Sequence, residues 1–273
     1  MSTKIANKDK VFKEKIGRVQ TKLKALERVV VAFSGGKDSF FLLETAVETL
    51  GKENVTACCV KTGFSSKNDR KRVNYFSRQL DFQLEEIEID LSQEKFIMSN
   101  SRERCYLCKK KIFAALKKKA QELGVETILD GTTYSDLSQY RPGLKALEEL
   151  NILSLLQEAR FTSAEIAGYL KQTARIEDYF LTSSTCLATR FPYNLQLNES
   201  LLTVFDDLEE YLVNLGIYPV KVRFIPEGIR VETPSQLFRE IFANRDKIID
   251  FGKKRGLKFV TLDLEGIKSG VWD

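Results

Sequence analysis

Six consecutive residues carry the densest chemistry in this chain: Ser34-Gly35-Gly36-Lys37-Asp38-Ser39. Two glycines let the backbone turn tightly, so that successive N–H groups converge on an anion at a helix N-terminus. Ser34 and Ser39 add hydroxyl donors, Lys37 a positive charge, and Asp38 a carboxylate able to hold a magnesium ion. The spacing is not that of the Gly-x4-Gly-Lys-Ser/Thr loop. A plain strand-to-helix turn capped by Ser and Asp would use the same residue types. Six of them in order, at the first strand–helix junction, point instead to phosphate binding.

Cysteines are the second candidate. Cys105 and Cys108 form a C-x2-C, and Cys186 follows the run Ser183-Ser184-Thr185. On a helix the first two share a face. Core filling competes with chemistry there, because Cys108, Ile112, Leu116 and Leu123 fall along one helical stripe. Cys58 and Cys59, adjacent within an apolar run, read as packing. The chain has no histidine, which excludes His-based acid–base catalysis, Ser–His and Cys–His nucleophile pairs, and His metal ligands. Three thiolates alone do not complete a structural zinc site. They can hold a 4Fe–4S cluster by three irons and leave the fourth open to a sulfide, which could then reach an activated substrate.

These residues need elements to position them. Arg28–Phe33 reads as a buried strand, Lys37–Leu50 as a helix, Val55–Val60 as a strand and Asp69–Leu80 as a helix. Leu84–Ile89 then reads as a strand, Cys105–Leu123 as a helix and Thr127–Asp130 as a strand. This alternation predicts an α/β fold with a parallel sheet, whose ligands bind beyond the carboxyl ends of the strands. An N-terminal helix should pack Val11, Phe12, Ile16, Val19 and Leu23 on that domain. From Asn198 the rhythm changes to a helix over Leu201–Leu215, strands over Val220–Phe224 and Ile229–Glu232, helices over Ser235–Lys254, and a strand over Lys258–Leu262. The expected division is therefore a first domain over residues 1–195 and a smaller α/β domain over 196–273. Alternation puts Lys221 and Arg223 on one strand face, and Arg230 and Glu232 on one face of its partner. Charged faces of this kind are ordinarily solvated.

The 273 residues are enough for a substantial core, and the net charge of +5 suits an anionic small substrate as well as RNA. The lysine-rich start lacks the apolar stretch of a secretory signal, and no apolar run reaches about eighteen residues, so a cytoplasmic protein without membrane association is expected.

The SGGxDS pattern resembles the PP-loop signature of ATP pyrophosphatases, which cleave ATP between the α and β phosphates. Further stretches resemble the LarE family, the sulfur-insertion enzymes of nickel-pincer nucleotide biosynthesis. They are Asp130-Gly131-Thr132, Tyr140-Arg141-Pro142-Gly143-Leu144-Lys145-Ala146, Leu155-Leu156-Gln157-Glu158-Ala159, Arg190-Phe191-Pro192-Tyr193, Val220-Lys221-Val222-Arg223-Phe224 and Thr261-Leu262-Asp263-Leu264. The resemblance runs from Glu27 to Gly270. It implies a Rossmann-like PP-loop domain that uses ATP and Mg2+ to adenylate a carboxylate of pyridinium-3,5-biscarboxylate mononucleotide, which then becomes a thiocarboxylate. One type of member gives up the sulfur of a single cysteine. Here Thr185 occupies that cysteine's position and Cys186 lies beside it, so the three-cysteine set looks like the cluster-carrying type. Thr189, Arg190, Lys221 and Arg223 match substrate-phosphate positions, with Lys221 in place of an arginine. Glu209, Glu232 and Glu240 match an acidic metal cluster, with Glu240 in place of an aspartate. The resemblance also implies a homo-oligomer, reloaded by sulfide or a sulfur donor. A tRNA-thiolating PP-loop enzyme is the competing reading; it would need a nucleic-acid surface, and no basic stripe interleaved with aromatics is evident. In a third reading the Cys186 sulfur is consumed without a cluster. In a fourth the chain is an ammonia-using amide synthetase whose cysteines only pack.

Overall fold

The structure, a computed structural model, describes residues 2–79, 82–138, 141–173, 181–182 and 185–267. Leu80, Tyr140, Ser183, Ser184 and the last residues to Gly270, all named above, lie outside these. Two compact units emerge. The first comprises Met1–Lys61, Asp69–Ile89 and Tyr106–Ser183; the second comprises Thr62–Asn68, Asp90–Cys105 and Ser184–Asp273.

The first unit is built on strands β1 (Val29–Ala32), β2 (Val55–Lys61), β3 (Gln83–Glu88) and β4 (Ile128–Asp130), in the order β3-β2-β1-β4. Every pairing is parallel, as the strand–helix rhythm predicts. Because side chains alternate across a sheet, Val29, Val31, Phe33, Ala57 and Cys59 enter one buried cluster, while Val30, Cys58 and Ile128 enter another. Cover on both faces explains why β1 and most of β2 read as apolar runs, whereas edge strand β3 carries Glu85, Glu86 and Glu88.

Helices α1 (Ser2–Lys24), α2 (Lys37–Leu50), α7 (Leu155–Glu158) and α8 (Ser163–Gln172) contribute to the first cluster. Helices α5 (Arg104–Glu122) and α6 (Gly143–Glu149) contribute to the second. Helices α3 (Lys67–Gln79) and α4 (Lys95–Met98) complete the numbering up to α8. Helix α1 packs through Phe12, whose ring lies 5.1 Å from Phe161 and 5.9 Å from Phe41. Val11 lies off the buried stripe, 43% exposed.

In the second unit, α9 (Glu199–Asn214) is followed by β5 (Lys221–Ile225), β6 (Gly228–Glu232), α10 (Phe238–Ala243), α11 (Arg245–Lys253) and β7 (Phe259–Leu262). β5 and β6 form an antiparallel hairpin and β7 joins β6 in parallel. The helical stretch predicted across Ser235–Lys254 is broken at Asn244, whose backbone (φ −106, ψ 14) leaves the helical well. Phe191, Phe205 and Phe224 form the aromatic centre of this unit, with centroids 4.6–6.4 Å apart. The fold is thus α/β, with a parallel Rossmann-like layer and a smaller C-terminal α/β sheet. No helix among the described residues is long and apolar enough to cross a membrane.

Candidate active site

Strand β1 has β2 on one side and β4 on the other, so the chain reverses its direction of travel between β1 and β4. Ligands of open parallel sheets bind at such a switch point. Ser34–Ser39 leaves the end of β1 there, and Ala32 pairs with Asp130, the last residue of β4.

Geometry makes this loop intolerant of side chains. Gly35 has φ +73, and a Cβ on it would meet Val73 Cγ2 at 2.8 Å. A Cβ on Gly131, just after β4, would meet Ser39 Cα and N at 2.8 Å. Gly36 precedes α2 in an extended conformation, and no side chain caps the helix. Ser39 Oγ donates to the Gly36 carbonyl (2.9 Å) and lies 3.2 Å from Ser34 Oγ. An uncapped helix start with two nearby hydroxyls is suited to phosphate oxygens.

Asp38 lies on the first turn of α2. Its carboxylate accepts a hydrogen bond from Ser163 Oγ (2.9 and 3.1 Å) and is 3.3 Å from Lys37 Nζ. Burial lifts the Asp38 carboxyl above the usual aspartate range; Lys37 and Ser163 pull it back, and Asp136 adds to the lift. Sequence pattern alone gave no sign of Ser163 and its neighbours. The Ser163 amide donates to Ser135 Oγ (3.0 Å), Ser135 Oγ lies 2.8 Å from Thr133 Oγ1, and the Thr133 amide donates to Asp136 (2.7 Å).

The Asp38 shift carries a stability signature. A raised folded-state value favours the neutral carboxyl. That contribution is complete below the ordinary aspartate value, about pH 4, and is lost as the pH rises through the folded value. At pH 7, where the unfolded aspartate is ionised, burying this carboxyl is therefore a cost. We expect Asp38→Asn to melt higher than the wild type at pH 7 in EDTA, with the gap closing toward about pH 4, while ATP turnover is lost. Calorimetric scans across that range check it; a variant that melts lower at pH 7 refutes it.

The second unit holds a buried charge network. Arg190 and Glu209 pair through two contacts, Nε–Oε1 at 2.6 Å and Nη2–Oε2 at 3.0 Å, with side chains 4% and 3% exposed. Arg190 Nη1 also donates to the hydroxyls of Thr185 (2.8 Å) and Thr189 (2.9 Å). The Val222 amide donates to Glu209 Oε1 at 2.8 Å. The hairpin register sets Lys221 opposite Glu232 and Arg223 opposite Arg230, so all four share a face. That face is largely buried: Lys221, Arg223 and Glu232 are each under a tenth exposed. Arg223 donates to Glu232 (3.1 Å) and to the Thr189 carbonyl (2.5 Å), and Arg230 donates to Glu232 (2.9 Å). The structure thus brings Thr189, Arg190, Lys221 and Arg223 into one unit. Glu209 and Glu232 serve as partners of arginines, and Glu240 is exposed. Among the described residues, no three of His, Cys, Asp and Glu gather into a group that could hold a metal.

None of the five cysteines is in a disulfide. Burial pushes the Cys58 thiol up to about 12 and the Cys59 thiol to about 11, as expected of core residues. Cys105 and Cys108 lie one helical turn apart on α5, and each keeps part of its surface exposed. Arg104, 1% exposed, donates to the Ala188 carbonyl (3.1 Å) and to Cys105 Sγ (3.4 Å), and also bonds Asn100 Oδ1. Burial raises the Cys186 thiol; Arg104 opposes this, Cys105 adds to it, and Arg190 opposes it. Cys105 and Cys186 belong to the second unit and Cys108 to the first; chemically the three thiols suit an iron–sulfur cluster.

The PP-loop domain family matches residues 8–139. The pyridinium-3,5-bisthiocarboxylic acid mononucleotide synthase of Lactiplantibacillus plantarum is 32% identical over 248 residues, covering 91% of this chain and 90% of that protein. The chain belongs to the LarE family. Two uncharacterised proteins are also similar to it. One, from Methanocaldococcus jannaschii, is 31% identical over 95% of this chain and 99% of its own length. The other, from Synechocystis, is 27% identical over 90% and 91%. This LarE-family chain is an ATP-binding PP-loop enzyme, and the glycine-limited loop at the switch point lies within the matched PP-loop domain.

Proposed function

We propose that this chain adenylates a carboxylate of pyridinium-3,5-biscarboxylate mononucleotide and converts it to a thiocarboxylate. The observation that carries the reading is the uncapped start of α2, enclosed by Gly35, Gly36 and Gly131 and flanked by Asp38. The similarity to a bisthiocarboxylic acid mononucleotide synthase supplies the substrate class.

The Ser34–Ser39 loop holds the β and γ phosphates, and Asp38 offers a carboxylate to the accompanying Mg2+. A substrate carboxylate oxygen attacks the α-phosphorus, the α–β bridging bond breaks, and pyrophosphate leaves into the amide cradle. Sulfide then attacks the acyl carbon, the C–O bond to AMP breaks, and the thiocarboxylate and AMP separate. Activation is needed because a carboxylate oxygen is a poor leaving group and AMP a good one. Thr189, Arg190, Lys221 and Arg223 face the phosphate of the nucleotide substrate; Lys221 contributes a point charge where arginine would grip with two donors. A 4Fe–4S group held by Cys105, Cys108 and Cys186 would supply an iron with an open ligand position as the source of that sulfide.

Anaerobic purification followed by iron and acid-labile sulfide assay tests the cysteine assignment. About four irons per chain, lost in Cys105→Ala, is the expected result. An iron-free protein that thiolates once per chain would make Cys186 a consumed donor and return the C-x2-C to packing. Salt-sensitive, tight binding of tRNA would favour an RNA substrate instead.

A further inference from the structure

We propose that Ser163 is the positioning residue of the phosphate loop, holding the Asp38 carboxylate in its working rotamer. This rests on the reading of Ser34–Ser39 as the ATP site. Ser163 is the first residue of α8, and its hydroxyl contacts both oxygens of Asp38, at 3.1 and 2.9 Å, across 125 residues of sequence. Capping the helix is not its task. Thr162 and Glu165 already form a complete capping box, Thr162 Oγ1 accepting from the Glu165 amide while Glu165 accepts from the Thr162 amide.

The segment that delivers Ser163 is fastened at each step. Arg160 takes a left-handed conformation (φ +62), and its carbonyl accepts from Lys15 Nζ at 2.7 Å. The Phe161 carbonyl accepts from the Tyr134 amide at 2.7 Å, and its ring is fully buried against Phe12 and Phe41. Lys15 also pairs with Glu165 at 2.7 Å, tying the capping box to α1. The Ser163 amide is held by Ser135. A serine hydroxyl so constrained leaves Asp38 little rotational freedom. A carboxylate beside a transferring phosphoryl group works only when its direction is fixed.

The test is ATP–pyrophosphate exchange by the full chain with pyridinium-3,5-biscarboxylate mononucleotide, at varied Mg2+. Ser163→Ala should lower kcat by about 10- to 100-fold, the range for a lost hydrogen bond to a charged group. The KM for ATP should stay within about twofold, as for an interaction made chiefly in the transition state. Half-saturating Mg2+ should rise, the melting temperature should hold, and Ser163→Thr should restore kcat. Thr162→Ala should do the reverse, melting earlier while exchanging at nearly wild-type kcat. Ser163→Cys, similar in size but a weak donor, decides the matter if the alanine variant melts early. Wild-type kcat in Ser163→Ala overturns the proposal alone, as does a loss that tracks melting and is not restored by threonine. A wild-type chain that binds no Mg·ATP overturns the site reading and the proposal with it.

Discussion

Glu209→Ala should destabilise the second unit by about 3–5 kcal/mol, the range for removing one partner of a buried ion pair. The carboxylate it deletes satisfies Arg190 Nε and Nη2 and the Val222 amide together. Truncation strands a guanidinium at a site 4% exposed, together with a backbone donor. Since whole domains are stable by about 5–15 kcal/mol, this is a large share. Urea unfolding should show a lower midpoint with little change in slope. Replacing both partners by apolar residues of similar volume, Arg190→Met with Glu209→Leu, should return much of the stability without returning activity. If the single variant unfolds like the wild type, Glu209 carries no weight in holding α9 to the Leu187–Arg190 turn and to β5.

The second large effect is catalytic. Gly131→Ala should cut ATP–pyrophosphate exchange by about 100-fold, the scale of an ångström-sized misplacement at a reacting centre. Its new methyl would lie 2.8 Å from the backbone of Ser39, where no flexible side chain can give way. Gly168→Ala is the control. Gly168 is exposed within α8 and a Cβ there meets nothing within 4 Å, so that change should stabilise by about 0.5–1 kcal/mol and leave exchange intact. Equal activity in the two variants would show that the approach of β4 to the loop has no bearing on ATP.

The parts of this site that were legible in the sequence are those that local pattern controls. Val29–Ala32 is wholly apolar and Val55–Lys61 apolar but for Thr56 and Lys61, so their burial in a parallel sheet follows from composition. The loop after β1 announces itself by two glycines and two serines. Hairpin alternation placed Lys221 and Arg223 together, but whether that face is wet or buried depends on Glu209 and Glu232, which join it through tertiary pairing. The contact between Ser163 and Asp38 was invisible because nothing in a Thr-Ser-Ala-Glu helix start says where the second hydroxyl points. Asn100 and Arg104 were missed for a related reason. Asn100 lies in an irregular stretch with no period and Arg104 at the first position of α5; Asn100 has φ +54, donates to the Pro192 carbonyl and accepts from Arg104. Asn is tolerant of that backbone region, which is a hint only once the turn is known.

The second unit is drawn from three separated stretches of chain, and this matters while the protein is being made. Thr62–Asn68 leaves the ribosome early, yet the Lys67 amide must wait for Asp206, 139 residues later, before its hydrogen bond can form. At ordinary rates of about 5–20 residues per second, that interval is roughly 7–28 s. Until Leu187 is made, Phe64, 3% exposed in the finished protein, lacks the amide that donates to its carbonyl. Synonymous codons that slow synthesis between Asn68 and Asp206 would lengthen this wait and lower soluble yield without altering a single residue.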